Sequence, residues 1–209
     1  MENPVPFHSP CTLVLFAGTS AGKTTLVSKI LENASWCFEK PVESIYYFGY
    51  HHQKTYDKME DKIPNLKLFY TMPTEAILEP LFNPATHDIV VIDDYGAQCA
   101  SNEFVESLFL RTSHHCNLTI ILLVQSLYFQ GVKRRSQSLN THYVLLMKNP
   151  IGASRVQTCA CQRFPGQSKG FISTYTKKLH SLIHIFLWIH TQLVTPSLQC
   201  DLEFYLMNR

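Results

Sequence analysis

Lys23 and Thr24 close the run Ala17-Gly18-Thr19-Ser20-Ala21-Gly22-Lys23-Thr24, in which small residues precede a cation and a hydroxyl. Small side chains let a backbone curl so that its N–H groups point inward, an arrangement that holds a phosphate. A helix starting at the same point adds its positive end. On this reading Ala17, Gly18, Thr19, Ser20, Ala21, Gly22, Lys23, Thr24 and Thr25 form a nucleotide cradle. Lys23 reaches the outer phosphates of ATP and the Thr24 hydroxyl ligates Mg²⁺. Ala17 stands where a glycine is usual, which is tolerable only if its φ is negative.

A second group lies further along, in His87-Asp88-Ile89-Val90-Val91-Ile92-Asp93-Asp94-Tyr95. Two adjacent carboxylates at the end of an apolar strand repel, and a divalent cation relieves the repulsion. Asp93 is expected to hold Mg²⁺ through its water shell, and Asp94 to polarise an attacking water. Gln125 ends the apolar run Leu118–Val124, where its amide suits contact with a γ-phosphate or with that water; a plain strand-end cap is the alternative. Lys23, Asp94 and Gln125 are thus the candidate catalytic residues, with Thr24 and Asp93 at the metal.

Arg111, Arg155 and Arg163 are candidates for an arginine finger acting across a subunit boundary. Lys133-Arg134-Arg135, beside Gly131, suits contact with a DNA backbone or forms a solvated turn. His51-His52 and His114-His115-Cys116 are adjacent residues whose side chains point apart, a poor arrangement for a metal.

These residues need a scaffold. Thr12–Phe16 reads as a buried strand ending in the Gly-containing turn. From Lys23 the spacing of Leu26, Val27, Ile30, Leu31 and Ala34 predicts a helix with one apolar face. Ser44–Phe48, Leu66–Tyr70, Ile89–Ile92, Leu118–Val124 and Tyr143–Met147 read as strands, the last stopped by Asn149-Pro150. Asn102 is placed to cap a helix running to about Ser113, with Glu103 and Glu106 at its positive end. Several strands are apolar on both faces, which predicts a mainly parallel sheet covered on both sides by helices. The sequence after Pro165 carries little pattern. The division expected is an ATPase domain over residues 1–170 and an extension over 171–209 that packs on the core or on a neighbouring subunit.

The chain has 209 residues, 45% hydrophobic and 16% charged, enough for one packed domain. Its net charge of +2 conceals an asymmetry. Residues 1–106 carry seven Lys/Arg against 14 Asp/Glu, whereas residues 107–200 carry ten Lys/Arg and no acid. An acid-free stretch of that length fits a surface that meets polyphosphate, or one that docks on the acidic half of a neighbouring subunit. Seven irregularly spaced cysteines read as free thiols in a reducing, intracellular compartment. The apolar run Leu179–Leu193, interrupted by His180, His184 and His190, is too short to span a bilayer, and nothing at the N-terminus reads as a secretory signal.

With these motifs in place the chain resembles the FtsK/HerA-type pumping ATPases, particularly the genome-packaging ATPases of Polinton (Maverick) elements, adintoviruses and related DNA viruses. The resemblance runs from about Leu13 to Gly170. It is carried by Ile92-Asp93-Asp94, Ser113-His114-His115-Cys116-Asn117-Leu118-Thr119, Val124-Gln125-Ser126-Leu127, Ser138-Leu139-Asn140-Thr141-His142-Tyr143 and Lys148-Asn149-Pro150. It implies a RecA-like P-loop NTPase fold with an additional strand between the two nucleotide motifs. It also implies a ring, often hexameric, that uses ATP and Mg²⁺ to thread double-stranded DNA into a capsid. The corresponding location is the cytoplasm or nucleus of an infected or host cell, and the virion. Four positions depart from the family pattern: Ala17 for Gly, Ser126 for Asn after the Gln, and Ile151 and Gly152 for Arg-Asp after Asn-Pro. Such departures imply weakened turnover. A small P-loop nucleoside or nucleotide kinase and a nucleotide-binding scaffold without turnover are the competing readings.

Overall fold

A computed structural model describes residues 7–95, 98–99, 102–109, 116–125, 141–147, 153–163, 166–178 and 186–189. The strands are β1 (Thr12–Phe16), β2 (Ile45–Gly49), β3 (Leu66–Phe69), β4 (Asp88–Asp93), β5 (Leu118–Val124), β6 (Tyr143–Leu146) and β7 (Phe186–Ile189). They form one sheet in the order β3-β2-β4-β5-β1-β6-β7. The first six run parallel and β7 joins β6 antiparallel.

β2, β4, β5 and β6 are buried at every position, whereas β3, at the edge, is only partly covered. Alternate side chains enter two separate cores, as the period of a strand requires. On one face Leu13, Leu15, Tyr47, Val91 and Ile121 meet Leu26, Val27 and Ile30 of α1 (Lys23–Glu32), with Tyr56 and Met59 of α3 (Lys54–Lys62). On the other, Phe16, Phe48, Ile92, Leu122 and Leu146 meet Val105 of α5 (Glu103–Ser107), Val156 of α6 (Ala153–Arg163) and Tyr175 of α7 (Ser168–Lys178). Each large aliphatic side chain so enclosed contributes about 1.5–3 kcal/mol. Two short helices, α2 (Ala34–Cys37) and α4 (Glu75–Leu78), follow α1 and β3 in the chain.

The expected α/β architecture is therefore present, with helices on both faces. The additional strand is β5, which separates β1 from β4. Asn102 caps α5 as expected, its Oδ1 accepting from the N–H groups of Phe104 (2.9 Å) and Val105 (3.1 Å). The regular α-helical part is Glu103–Ser107, and the rest of the expected run to Ser113 lies largely outside the described residues. The poorly patterned region after Pro165 contains α7 and β7. α7 runs across position 170, and its Tyr175 is buried with its hydroxyl donating to the Met147 carbonyl at 3.2 Å. No helix among the described residues is long and apolar enough to cross a membrane.

Candidate functional site

Parallel pairing brings the strand ends together. Phe16 is level with Val124, and Ile92 with Leu122, so the residues that follow β1, β5 and β4 emerge at one edge of the sheet. They are Ala17, Gln125 and Asp94, the positions that the sequence singles out. In open parallel sheets that edge is where ligands bind.

The first loop leaves β1 with the Ala17 N–H donating to the Val124 carbonyl at 3.2 Å. Ala17 is fully buried and lies outside the positive-φ residues, so the condition for an alanine there is met. Positive φ falls instead on Ser20 (57°) and Gly22 (86°). Gly22 is the N-cap of α1 in a left-handed conformation, and no side chain caps that helix. A helix start without a capping side chain leaves its N–H groups to an anion. The loop is built as a phosphate cradle requires.

Lys23 turns its amine back across this loop, donating to the carbonyls of Gly18 (3.0 Å) and Ala17 (3.3 Å). Burial pulls its proton affinity below the usual lysine range, while the charges of Asp93 and Asp94 push it up. The cation and the two carboxylates line one site. A cleft of about 380 Å³ contains them, lined by Thr19, Ser20, Gly22, Lys23, Thr24, Thr25, Gln53, Thr55, Asp93, Asp94 and Gln125.

The two acids differ sharply. Asp93 is buried, and its Oδ2 accepts from Tyr47 Oη (2.7 Å), Thr24 Oγ1 (3.0 Å) and Tyr56 Oη (3.1 Å). Burial raises its proton affinity above the carboxylate norm, and these three donors work against the rise. Asp94 is exposed at φ 65°, a left-handed conformation that Asp adopts more readily than most residues. The turn aims its carboxylate towards β5, where Oδ1 accepts from Gln125 Nε2 at 2.9 Å. Gln125 in turn accepts from Thr19 Oγ1 at 3.3 Å, linking β5 back to the phosphate loop.

Thr24 and Asp93 are hard oxygen donors in contact at the mouth of the loop, a set that suits Mg²⁺. The residues expected to hold a metal, a triphosphate and a water are thus assembled in one place.

Sequence reasoning missed four participants. Tyr47 and Tyr56 were hidden because a tyrosine in an apolar pattern looks like core. Burial holds both phenols protonated, well above their usual range, so they remain donors. Gln53, the N-cap of α3, and Thr55, in its first turn, reach the cleft from the start of that helix. Gln53 Nε2 also donates to Tyr56 Oη at 3.2 Å.

Arg155 is exposed on α6 and is not among the described residues that line the cleft. Arg163 ends the same helix, and its side chain lies outside the described set. Arg111 and Lys133-Arg134-Arg135 also lie outside the described residues.

No protein-family model and no curated protein sequence matches the chain. Solved structures do. The cytoplasmic domain of the Thermomonospora curvata type VII secretion ATPase EccC superimposes with a TM-score of 0.56 and 9% identity, covering 87% of this chain and 24% of that one. The cytoplasmic domain of EssC gives a TM-score of 0.52 and 10% identity over 93% of this chain and 44% of its own. The genome packaging NTPase B204 of Sulfolobus turreted icosahedral virus 2 gives 0.47 and 13% identity over 88% of this chain and 98% of its own. The chain thus spans about a quarter of the EccC length and under half of the EssC length. Strand order, the uncapped helix after β1 and the likeness to EccC and EssC give one structural conclusion: the chain has a RecA-like P-loop NTPase fold, with a single strand between the two that carry the nucleotide motifs.

Proposed function

We propose that the chain is an ATPase of the FtsK/HerA type that couples hydrolysis of ATP to movement of double-stranded DNA, in the manner of a genome-packaging motor. The observation that supports this most is the convergence of Lys23, Thr24, Asp93, Asp94 and Gln125 on one cleft at the carboxyl edge of the sheet.

In this proposal the loop Ala17–Thr25 wraps the phosphates with backbone N–H groups. Lys23 exchanges its carbonyl contacts for the outer phosphates, trading two neutral acceptors for charged ones. Thr24 and Asp93 hold Mg²⁺, which supplies neutralisation of the charge that builds up on the phosphates. Asp94, exposed at the cleft, accepts a proton from water as that water attacks the terminal phosphorus. The bond to the bridging oxygen breaks, and ADP and phosphate leave. Gln125, hydrogen-bonded to Asp94, fixes the direction of that carboxylate and senses the γ-phosphate or the attacking water. A phosphoryl acceptor other than water is not needed by this arrangement.

The motor part of the reading draws on the motifs shared with the packaging ATPases and on the acid-free basic stretch from 107 to 200. It includes assembly into a ring, contact of Lys133-Arg134-Arg135 with the DNA backbone, an arginine from Arg111, Arg155 or Arg163 reaching a neighbour's nucleotide, docking on a capsid, and an intracellular or virion location.

Phosphate release, measured with and without long double-stranded DNA, tests the proposal. DNA-stimulated hydrolysis supports it. ADP formation that depends on an added nucleoside makes the chain a kinase, and nucleotide binding without turnover makes it a scaffold; either result sinks the motor.

A further inference from the structure

Tyr47 Oη, Thr24 Oγ1 and Tyr56 Oη converge on the same oxygen of Asp93, at 2.7, 3.0 and 3.1 Å. A carboxylate oxygen offers about two lone-pair sites, so three hydroxyl donors leave no room there for a cation. Oδ1, by contrast, accepts from none of the described residues. The clamp is also stiff. Tyr47 on β2 and Tyr56 on α3 are both fully buried, with ring centroids 5.1 Å apart. Gly49 permits this packing: a Cβ there would lie 2.7 Å from Tyr56 Cε2 and Oη. Thr24 spends its proton on Asp93, which leaves its oxygen lone pairs for a metal.

We propose that Tyr47 and Tyr56 are positioning residues that restrict Asp93 to a single-oxygen grip on the metal, and that this restriction selects Mg²⁺ against Ca²⁺. The proposal rests on the nucleotide-site reading above. Mg²⁺ holds six ligands in a tight octahedron and keeps several waters, so one carboxylate oxygen acting through a water suffices. Ca²⁺ takes six to eight oxygens and gains from a bidentate carboxylate. A carboxylate with one oxygen already filled meets the first demand and refuses the second. The tyrosines touch neither metal nor nucleotide; they act through Asp93.

The test is equilibrium binding of a fluorescent ATP analogue to the full chain with Mg²⁺, with Ca²⁺ and with chelator alone, alongside thermal melting. The intact chain should bind the analogue more tightly with Mg²⁺ than with Ca²⁺. Tyr47→Phe and Tyr56→Phe keep the rings and remove only the hydroxyls. Combined in one chain, they leave Thr24 as the single described donor to Oδ2, and should leave chelator-only affinity unchanged, lower the Mg²⁺-dependent gain by on the order of tenfold, and narrow or reverse the preference for Mg²⁺ over Ca²⁺. An unchanged preference, or an equal loss in all three conditions, overturns the proposal. So does an intact chain that binds equally well with either ion, a result that stands even if the double variant fails to fold. An intact chain that binds no analogue under any condition overturns the nucleotide reading itself, and that outcome is distinct from the others.

Discussion

The Gln125 side-chain amide donates to the Asp94 carboxylate at 2.9 Å, although 31 residues separate them in sequence. One residue follows β5 and the other follows β4, and the adjacency of these strands makes the contact. Because Asp94 is the proposed proton acceptor, the two residues should fail in different ways. Asp94→Asn keeps the size and the left-handed turn but removes the basicity, and should lower kcat by about 10²–10⁴-fold with nucleotide affinity retained. Gln125→Ala leaves the base in place but unaimed, and should cost kcat less than Asp94→Asn does. Steady-state phosphate release together with direct nucleotide binding separates the two. Equal losses of affinity and of kcat in both variants would contradict these roles.

Lys23 makes its contacts with loop carbonyls from a half-buried position. Lys23→Ala removes a cation and no apolar packing, so the fold should survive. Loss of a charge-assisted hydrogen bond is worth about 1.5–3 kcal/mol, which corresponds to nucleotide affinity weaker by roughly tenfold to a hundredfold. Calorimetric titration with ATP measures the change, and an unaltered affinity would show that the amine does not meet the phosphates.

Gly49 has a steric role and not a conformational one. The Tyr56 ring occupies the space where a side chain would begin, with its Cζ only 2.9 Å from an added Cβ. Gly49→Ala must therefore push Tyr56 off Asp93 or bend β2. Overpacking of this kind costs about 1–3 kcal/mol. Urea denaturation should show that loss, and in a Tyr56→Ala background, where the contested space is empty, the same Gly49→Ala change should cost less.

His87 gives a pH dependence remote from the cleft. It is buried at the start of β4, with Nε2 2.8 Å from Thr119 Oγ1 and Nδ1 3.3 Å from the Lys40 carbonyl. Burial lowers its pKa below the ordinary 6.5. The unfolded chain therefore takes up a proton that the folded chain resists. The His87 contribution is complete above pH 6.5 and is lost as pH falls towards the depressed folded value. The slope in that window can reach about 1.4 kcal/mol per pH unit. Asp88 and Asp93, both raised by burial, act in the opposite sense at lower pH. Stability measured from pH 7.5 downward should fall first near neutrality, and His87→Gln should flatten that fall. An identical acid limb in the variant would remove His87 as its source.

The phosphate loop, the acidic strand and the strand ending in Gln125 were legible because each sits on a strand buried on both faces, where a continuous apolar run stands out. α3 escaped notice for the opposite reason. Its sequence, Lys-Thr-Tyr-Asp-Lys-Met-Glu-Asp-Lys, buries only Tyr56 and Met59, and two apolar residues make a weak period. Tyr47 was read as one more β-former in an aromatic strand, because sequence shows a ring and not where its hydroxyl points. The contacts that join Tyr47, Tyr56 and Gln53 to the site depend on β2 lying beside β4, a matter of strand order that local pattern does not contain. α7 and β7 lie after Pro165, where side-chain spacing gives no firm period.

The left-handed backbone at Asp94 carries one more implication. Bulkier residues resist that conformation by roughly 1–2 kcal/mol, which asparagine, aspartate and glycine largely avoid. Chain direction and the proposed proton transfer thus compete for one side chain, and aspartate is the acid that serves both without strain. A glutamate at this position would have to rebuild the bend before it could act as a base, so lengthening the acid by one carbon is a change of geometry as much as of reach.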